Sequence, residues 1–290
     1  MKLVTYERDG RQHLATVLDG RVIDLALGMA QSGHPMLDFL AGGAVSLDAA
    51  KAQLAEAQRH WRADAYPLLD RVKLLAPIPR PGKIVAIGRN YADHAAETGV
   101  KPFERPRIIS KLPSSVVAPG AVVRRPLDVI KLDYEIELGV VIGKRTKLVP
   151  RAQALDAVTG YTILNDVSAR EFQFDVSPAQ TTFAKSMDDF CPMGPWIVTA
   201  DEIADPQALT LQLRVNDELL QDGNTHDMIF DVAQLIEYIS RFMTLEPGDV
   251  IATGTPAGVG AFRTPPRWLQ PGDRLRLEIS RIGVLEHSIG

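Results

Sequence analysis

The stretch that most constrains this chain is Asp-Tyr-Glu-Ile-Glu-Leu-Gly-Val-Val-Ile-Gly, from Asp133 to Gly143. Its Ile, Leu and Val suit a strand buried on both faces, which belongs inside a sheet and not at its rim. Side chains on a strand alternate between faces, so Glu135 and Glu137 point the same way. Two carboxylates held that close repel, and each raises the other's affinity for a proton. A divalent cation is the simplest compensation. A third carboxylate, Asp166, closes the next apolar run in Thr-Ile-Leu-Asn-Asp-Val. Three oxygen donors with no neighbouring Cys or His describe a hard-cation site, for Mg²⁺ first, then Mn²⁺ or Ca²⁺. The same spacing is met by a solvent-facing row on a half-buried sheet, which is the ordinary place for glutamate.

Composition narrows the class. The net charge of −4 in 290 residues argues against a nucleic-acid binder, which carries a basic face. The sequence holds no apolar stretch of membrane-spanning length, and Met-Lys-Leu-Val-Thr-Tyr-Glu lacks the core of a secretion signal. A soluble cytoplasmic protein with no membrane partner is the expectation. The single Cys191 rules out an internal disulfide framework and a cysteine zinc site, and it reads as a buried apolar thiol.

Punctuation divides the chain at a proline-rich connector, 76–83. This predicts a small domain over 1–76 and a larger one over 77–290. In the first, Asp9-Gly10 and Asp19-Gly20 separate three short strand-like runs, a hairpin signal. Leu47, Ala50, Leu54, Ala57 and Trp61 then mark a helix starting at Ser46. The larger part is strand-rich, with one clear helix over 230–243 and no repeated strand-helix-strand rhythm. The fold class is α+β and β-rich, a mixed sandwich or roll with a small N-terminal β/α unit.

Other residues carry candidate chemistry. Asn90 reads as a helix cap, and His94 and Glu97 share one helix face, where a carboxylate can orient an imidazole as general base. An exposed ion pair fits that spacing equally well. Arg170 and Gln173, three apart, can face the acidic cluster. Lys185 sits among small and apolar neighbours, where a lysine can stabilise an oxyanion. Gly254 and Thr255 lie in a glycine-rich loop that matches neither a P-loop nor a dinucleotide fingerprint. Such a loop can offer amides to a carboxylate.

In this order, Asp-Tyr-Glu-Ile-Glu-Leu, Asn-Asp-Val-Ser-Ala-Arg and Gly-Asp-Val-Ile-Ala-Thr-Gly-Thr-Pro resemble the fumarylacetoacetate hydrolase family, from about Lys83 to His287. The resemblance implies a homodimer built on a mixed β-sandwich roll. It implies Mg²⁺ or Mn²⁺ on Glu135, Glu137 and Asp166, with His94 and Glu97 on a lid as the water-activating pair. It implies Lys185, Arg170, Gln173, Gly254 and Thr255 around the substrate. The founding hydrolase has an aspartate where Asn90 stands; a neutral residue there matches the smaller, acylpyruvase-like branch.

The activity expected first is hydrolysis of a C–C bond in a 2,4-dioxo acid, such as an acylpyruvate, fumarylpyruvate or a 2,4-dioxo-3-deoxy sugar acid. A pyruvate enolate would be stabilised by the cation and Lys185. Decarboxylation of a 2-oxo acid, its tautomerisation, and hydration of a 2-oxo-4-enoate are alternatives on the same scaffold. A calcium-binding module without catalysis is a third reading.

Overall fold

Alternation along the strand Ile136–Ile142 organises the molecule, and every residue of that strand is buried. Ile136, Leu138, Val140 and Ile142 face one apolar core, while Val141 belongs to another on the opposite side. In this computed structural model, which describes residues 1–26, 32–97, 99 and 101–290, the strand lies deep in a mixed sheet. Among the described residues that sheet has eleven strands. Ile136–Ile142 pairs antiparallel with Val158–Asn165 on one side and Val250–Ala252 on the other. Beyond Val158–Asn165 lie Cys191–Thr199 and the N-terminal strands Lys2–Arg8, Arg11–Leu18 and Arg21–Asp24. Beyond Val250–Ala252 lie Ile84–Gly88, in parallel pairing, and then Arg107–Lys111.

A second sheet covers the first face. It runs Glu218–Asn224, Thr210–Val215, Arg274–Ile279, Gly283–Ile289 and Val122–Val123. Its Leu211, Leu213, Leu275 and Leu277 share a core with Leu138, Val140 and Ile163, which makes the sandwich. The helix Val232–Phe242 adds Val232, Leu235, Ile236 and Ile239 to this core. Asp231 and Gln234 close its N-terminus as a capping box.

The opposite face is covered by the N-terminal residues. Asp9-Gly10 and Asp19-Gly20 all adopt positive φ, the geometry of tight hairpins. The resulting strands extend the large sheet, with Leu3 opposite Ile197. The helices Pro35–Ala41 and Gly43–Arg59 send Met36, Phe39, Leu40 and Ala50 into the core that holds Val141 and Leu164. The second helix starts three residues before the expected Ser46 and ends before Trp61, which instead stacks on Tyr66 at 5.4 Å. Among the described residues no helix is long and apolar enough to cross a membrane.

One polar chain threads the sandwich. His287 Nε2 accepts from Asn165 Nδ2 at 2.9 Å, and Asn165 Oδ1 accepts from the Glu135 amide at 2.9 Å. Burial pushes the His287 imidazole down to about 4, so it folds neutral. The unfolded chain therefore binds a proton that the native chain refuses, and stability falls as pH drops from 6.5 toward 4. In chelator-treated protein this loss is expected to reach about 3 kcal/mol. Urea unfolding at several pH values should show a shallower slope for His287→Gln; an unchanged slope would remove His287 from the acid response.

Candidate active site

The pairing register assembles the acids. Glu137 lies opposite Leu164 and Ile136 opposite Asn165, and the Asp166 amide donates to the Glu135 carbonyl at 2.9 Å. Asp166 thus leaves one strand where the glutamates enter the other. Glu135, Glu137 and Asp166 are buried, and each offers a carboxylate oxygen within 4.8 Å of the others.

Three cations meet them. Lys185, at the end of the short helix Thr181–Ala184, donates to Glu135 Oε2 at 2.7 Å, Asp166 Oδ2 at 2.6 Å and Ser168 Oγ at 2.9 Å. Arg170 donates to Glu135 Oε1 at 2.6 Å, Asp133 Oδ2 at 2.8 Å and Gln173 Oε1 at 2.7 Å. Lys111 Nζ sits 2.8 Å from Asp166 Oδ1 as an ion pair without hydrogen-bond alignment, and donates to the Val167 carbonyl at 3.3 Å.

The balance is uneven. Burial raises the proton affinity of Glu135, but the charges of Lys185 and Arg170 outweigh it and hold the carboxyl well below its usual range. Burial also opposes the charge on Lys185, yet Asp166 and Glu135 keep the ammonium protonated. Glu137 is pushed up by burial and by the carboxylates of Asp166 and Glu135. Among the described residues it forms no salt bridge, and Glu137 Oε2 accepts from the Gly254 amide at 2.9 Å. Four acids, counting Asp133, face three cations, and the missing positive charge is missing at Glu137. An oxygen-only donor set one charge short can hold a divalent cation.

Above the acids, the helix Ala92–Glu97 carries His94, which is buried. His94 Nδ1 lies 2.6 Å from Glu97 Oε1, and Glu97 Oε2 accepts from the Gly258 amide at 3.0 Å. With Nδ1 donating to the carboxylate, the Nε2 lone pair is free. Asn90 does not cap this helix through its side chain. Its amide donates to the Phe230 and Thr253 carbonyls and accepts from the Phe230 amide, anchoring the segment to the strand end at Ala252.

Eight of the ten candidates line one pocket: Glu135, Glu137, Asp166, Arg170, Gln173, Lys185, His94 and Thr255. Glu97 and Gly254 stand behind it, bonded to His94 and Glu137. Thr255 Oγ1 accepts from Gln221 at 2.7 Å. Sequence reading passed over Lys111, Asp133, Arg89 and Arg107. Asp133 carried a signal, since it lies two residues before Glu135 on the same alternating face. Lys111 carried none, being one lysine at the end of a short strand.

Known proteins match this chain in sequence and fold. The family model described as the C-terminal part of fumarylacetoacetate hydrolase matches residues 83–290. A mitochondrial oxaloacetate tautomerase of Bos taurus is 42% identical over 272 residues, which cover 93% of this chain and 84% of that protein. The solved fumarylacetoacetate hydrolase of Exiguobacterium antarcticum superposes with a TM-score of 0.83 at 37% identity, covering 100% of this chain and 99% of that one. The maleylpyruvate hydrolase of Sphingobium sp. SYK-6, solved with manganese(II) and pyruvate, gives 0.81 at 29% identity, covering 100% and 98%. With the sandwich, the acid trio and these matches together, the chain belongs to the fumarylacetoacetate hydrolase family.

Proposed function

We propose that this protein is a divalent-cation-dependent tautomerase that interconverts the enol and keto forms of a 2-oxo dicarboxylic acid of the oxaloacetate type. The observation that carries the reading is an acid trio short of one positive charge, sharing a pocket with an imidazole oriented by Glu97. The 42% identity to an oxaloacetate tautomerase, over nearly the whole chain, supports it. The enclosed room is about 30 Å³, space for only a few water-sized groups. A compact acid suits so small a room better than a long acyl chain does.

Glu135, Glu137 and Asp166 would hold Mg²⁺ or Mn²⁺, which when bound polarises the substrate's 2-oxo oxygen. His94 Nε2 takes a proton from C3 of the keto acid, leaving negative charge on that oxygen. The imidazolium then gives the proton to the oxygen, so the ring ends as it began and no atom is lost. Glu97 fixes the tautomer that leaves Nε2 free. Lys185 stays charged, bridges Glu135 and Asp166, and adds positive potential where charge develops. Arg170 locks Glu135 from its other oxygen.

Hydrolysis of a 2,4-dioxo acid, ranked first from sequence, is the second reading. The likeness to a maleylpyruvate hydrolase favours it, and there the same His94–Glu97 pair would deprotonate water. Mixing protein, Mg²⁺ and enol-oxaloacetate separates the two. Loss of enol absorbance without pyruvate or CO₂ supports tautomerisation; pyruvate released from an acylpyruvate, with no effect on the enol, sinks it.

His94→Ala is expected to lower kcat about 10²- to 10⁴-fold and leave stabilisation by Mg²⁺ intact. Undiminished turnover would exclude His94 as the base. Glu137→Gln removes a carboxylate whose ionisation opposes folding, so the metal-free chain should melt about 2–4 °C higher, equivalent to roughly 1 kcal/mol. Its midpoint should no longer climb with Mg²⁺; a climb equal to that of the parent would remove Glu137 from the ligand set. A homodimer is part of this reading. Leu127 and Ile130, 99% and 68% exposed, offer apolar surface for such a contact, and sedimentation at micromolar protein would show a monomer if it is wrong.

A further inference from the structure

Arg89 and Arg107 are the cations of the pocket that the acids do not use. Both line it, and among the described residues neither guanidinium has a carboxylate partner. Arg170, by contrast, is committed to Asp133 and Glu135. Burial and the charges of Arg107 and Arg170 push Arg89 down from its ordinary value, as expected where like charges share a space.

The backbone brings them there. Arg107 opens the strand Arg107–Lys111, directly opposite Gly88 at the end of Ile84–Gly88. A Cβ at position 88 would lie 3.3 Å from Arg107 Cδ and 3.0 Å from Ile109 Cδ1, so the glycine makes room for the arginine stem to cross. Arg89 follows with φ of 55°, a left-handed conformation that a side chain rarely adopts. Phe103 backs its guanidinium at 5.8 Å. Three strand steps separate the glutamate strand from Arg107–Lys111. At the usual spacing this is roughly 14 Å, and the arginine side chains reach inward across part of it. The pocket therefore has an acidic end at Glu135, Glu137 and Asp166 and a cationic end at Arg89 and Arg107.

We infer that Arg107, with Arg89 beside it, binds the carboxylate of the substrate furthest from the 2-oxo group, and so selects 2-oxo dicarboxylates over otherwise identical monoanions. The inference rests on the 2-oxo acid reading above and names the residue that sets its specificity.

The test compares oxaloacetate with its 4-methyl ester, which keeps the carbon skeleton and removes the distal charge. In Arg107→Gln with Mg²⁺, kcat/KM for the diacid should fall about ten- to a hundredfold. Turnover of the ester should stay at the parent level, and Arg107→Lys should recover part of the loss. Equal losses on both substrates, or none, overturn the assignment. Calorimetric binding of diacid and ester keeps the question separate from catalysis. If the parent turns over neither compound, the tautomerase reading fails. Arg107 is still supported if the parent binds the diacid more tightly than the ester and Arg107→Gln does not; it is refuted if both proteins bind the two alike.

Discussion

Seven charged side chains buried in one cluster set the terms for the rest of the molecule. Asp133, Glu135, Glu137, Asp166, Lys111, Arg170 and Lys185 are each at most 5% exposed. None of these charges is tolerable alone in such a place, and loss of one partner from a buried pair typically costs about 3–5 kcal/mol. Six of the seven therefore meet an opposite charge, so the segments that carry them must meet, while Glu137 has only the Gly254 amide. Lys111 comes from near the sheet edge, Arg170 and Asp166 from the crossing after Val158–Asn165, and Lys185 from the end of a single helical turn. The cluster is a constraint on tertiary structure before it is a site.

Its location follows from strand alternation. The even-numbered residues of Ile136–Ile142 spend one face of the strand on the sandwich core. The odd-numbered face is shared, with Val141 against the N-terminal helices and Glu137 among the charges. Apolar packing thus abuts the acids from both sides. It excludes water and strengthens every interaction among them. That exclusion pushes Glu137 up, and it makes an added positive charge worth more there than on the surface.

Backbone amides complete the frame. Gly254 gives its amide to Glu137, and with φ of 97° it comes so near Asn90 that a Cβ there would fall 2.8 Å from the asparagine's own Cβ. The close approach lets Asn90 tie the segment ahead of His94 to the strand end. Gly258 holds the outer oxygen of Glu97. The histidine is thus positioned by two loops far from it in sequence, around Phe230 and over 253–258, and its orientation depends on both.

Alternation, punctuation and helical periodicity are local properties, and the sequence by itself determined what depends on them. These were the shared face of Glu135 and Glu137, the two Asp-Gly hairpins, the helix ending near Phe242, and the β-rich class. Residue chemistry added Asp166, His94 and Lys185 as candidates, and the family motifs gave them roles. Only the tertiary structure decided which charges neutralise one another. Lys111 and Lys185 are 74 residues apart, yet both reach Asp166. Asn90 became an anchor and not a cap because carbonyls from two distant loops offered it better partners. Arg107 became a pocket residue because Gly88 lies across the ladder from it. A repeating pattern reveals the direction in which a side chain points; what it meets is settled by strand order and register, which no short window of residues contains.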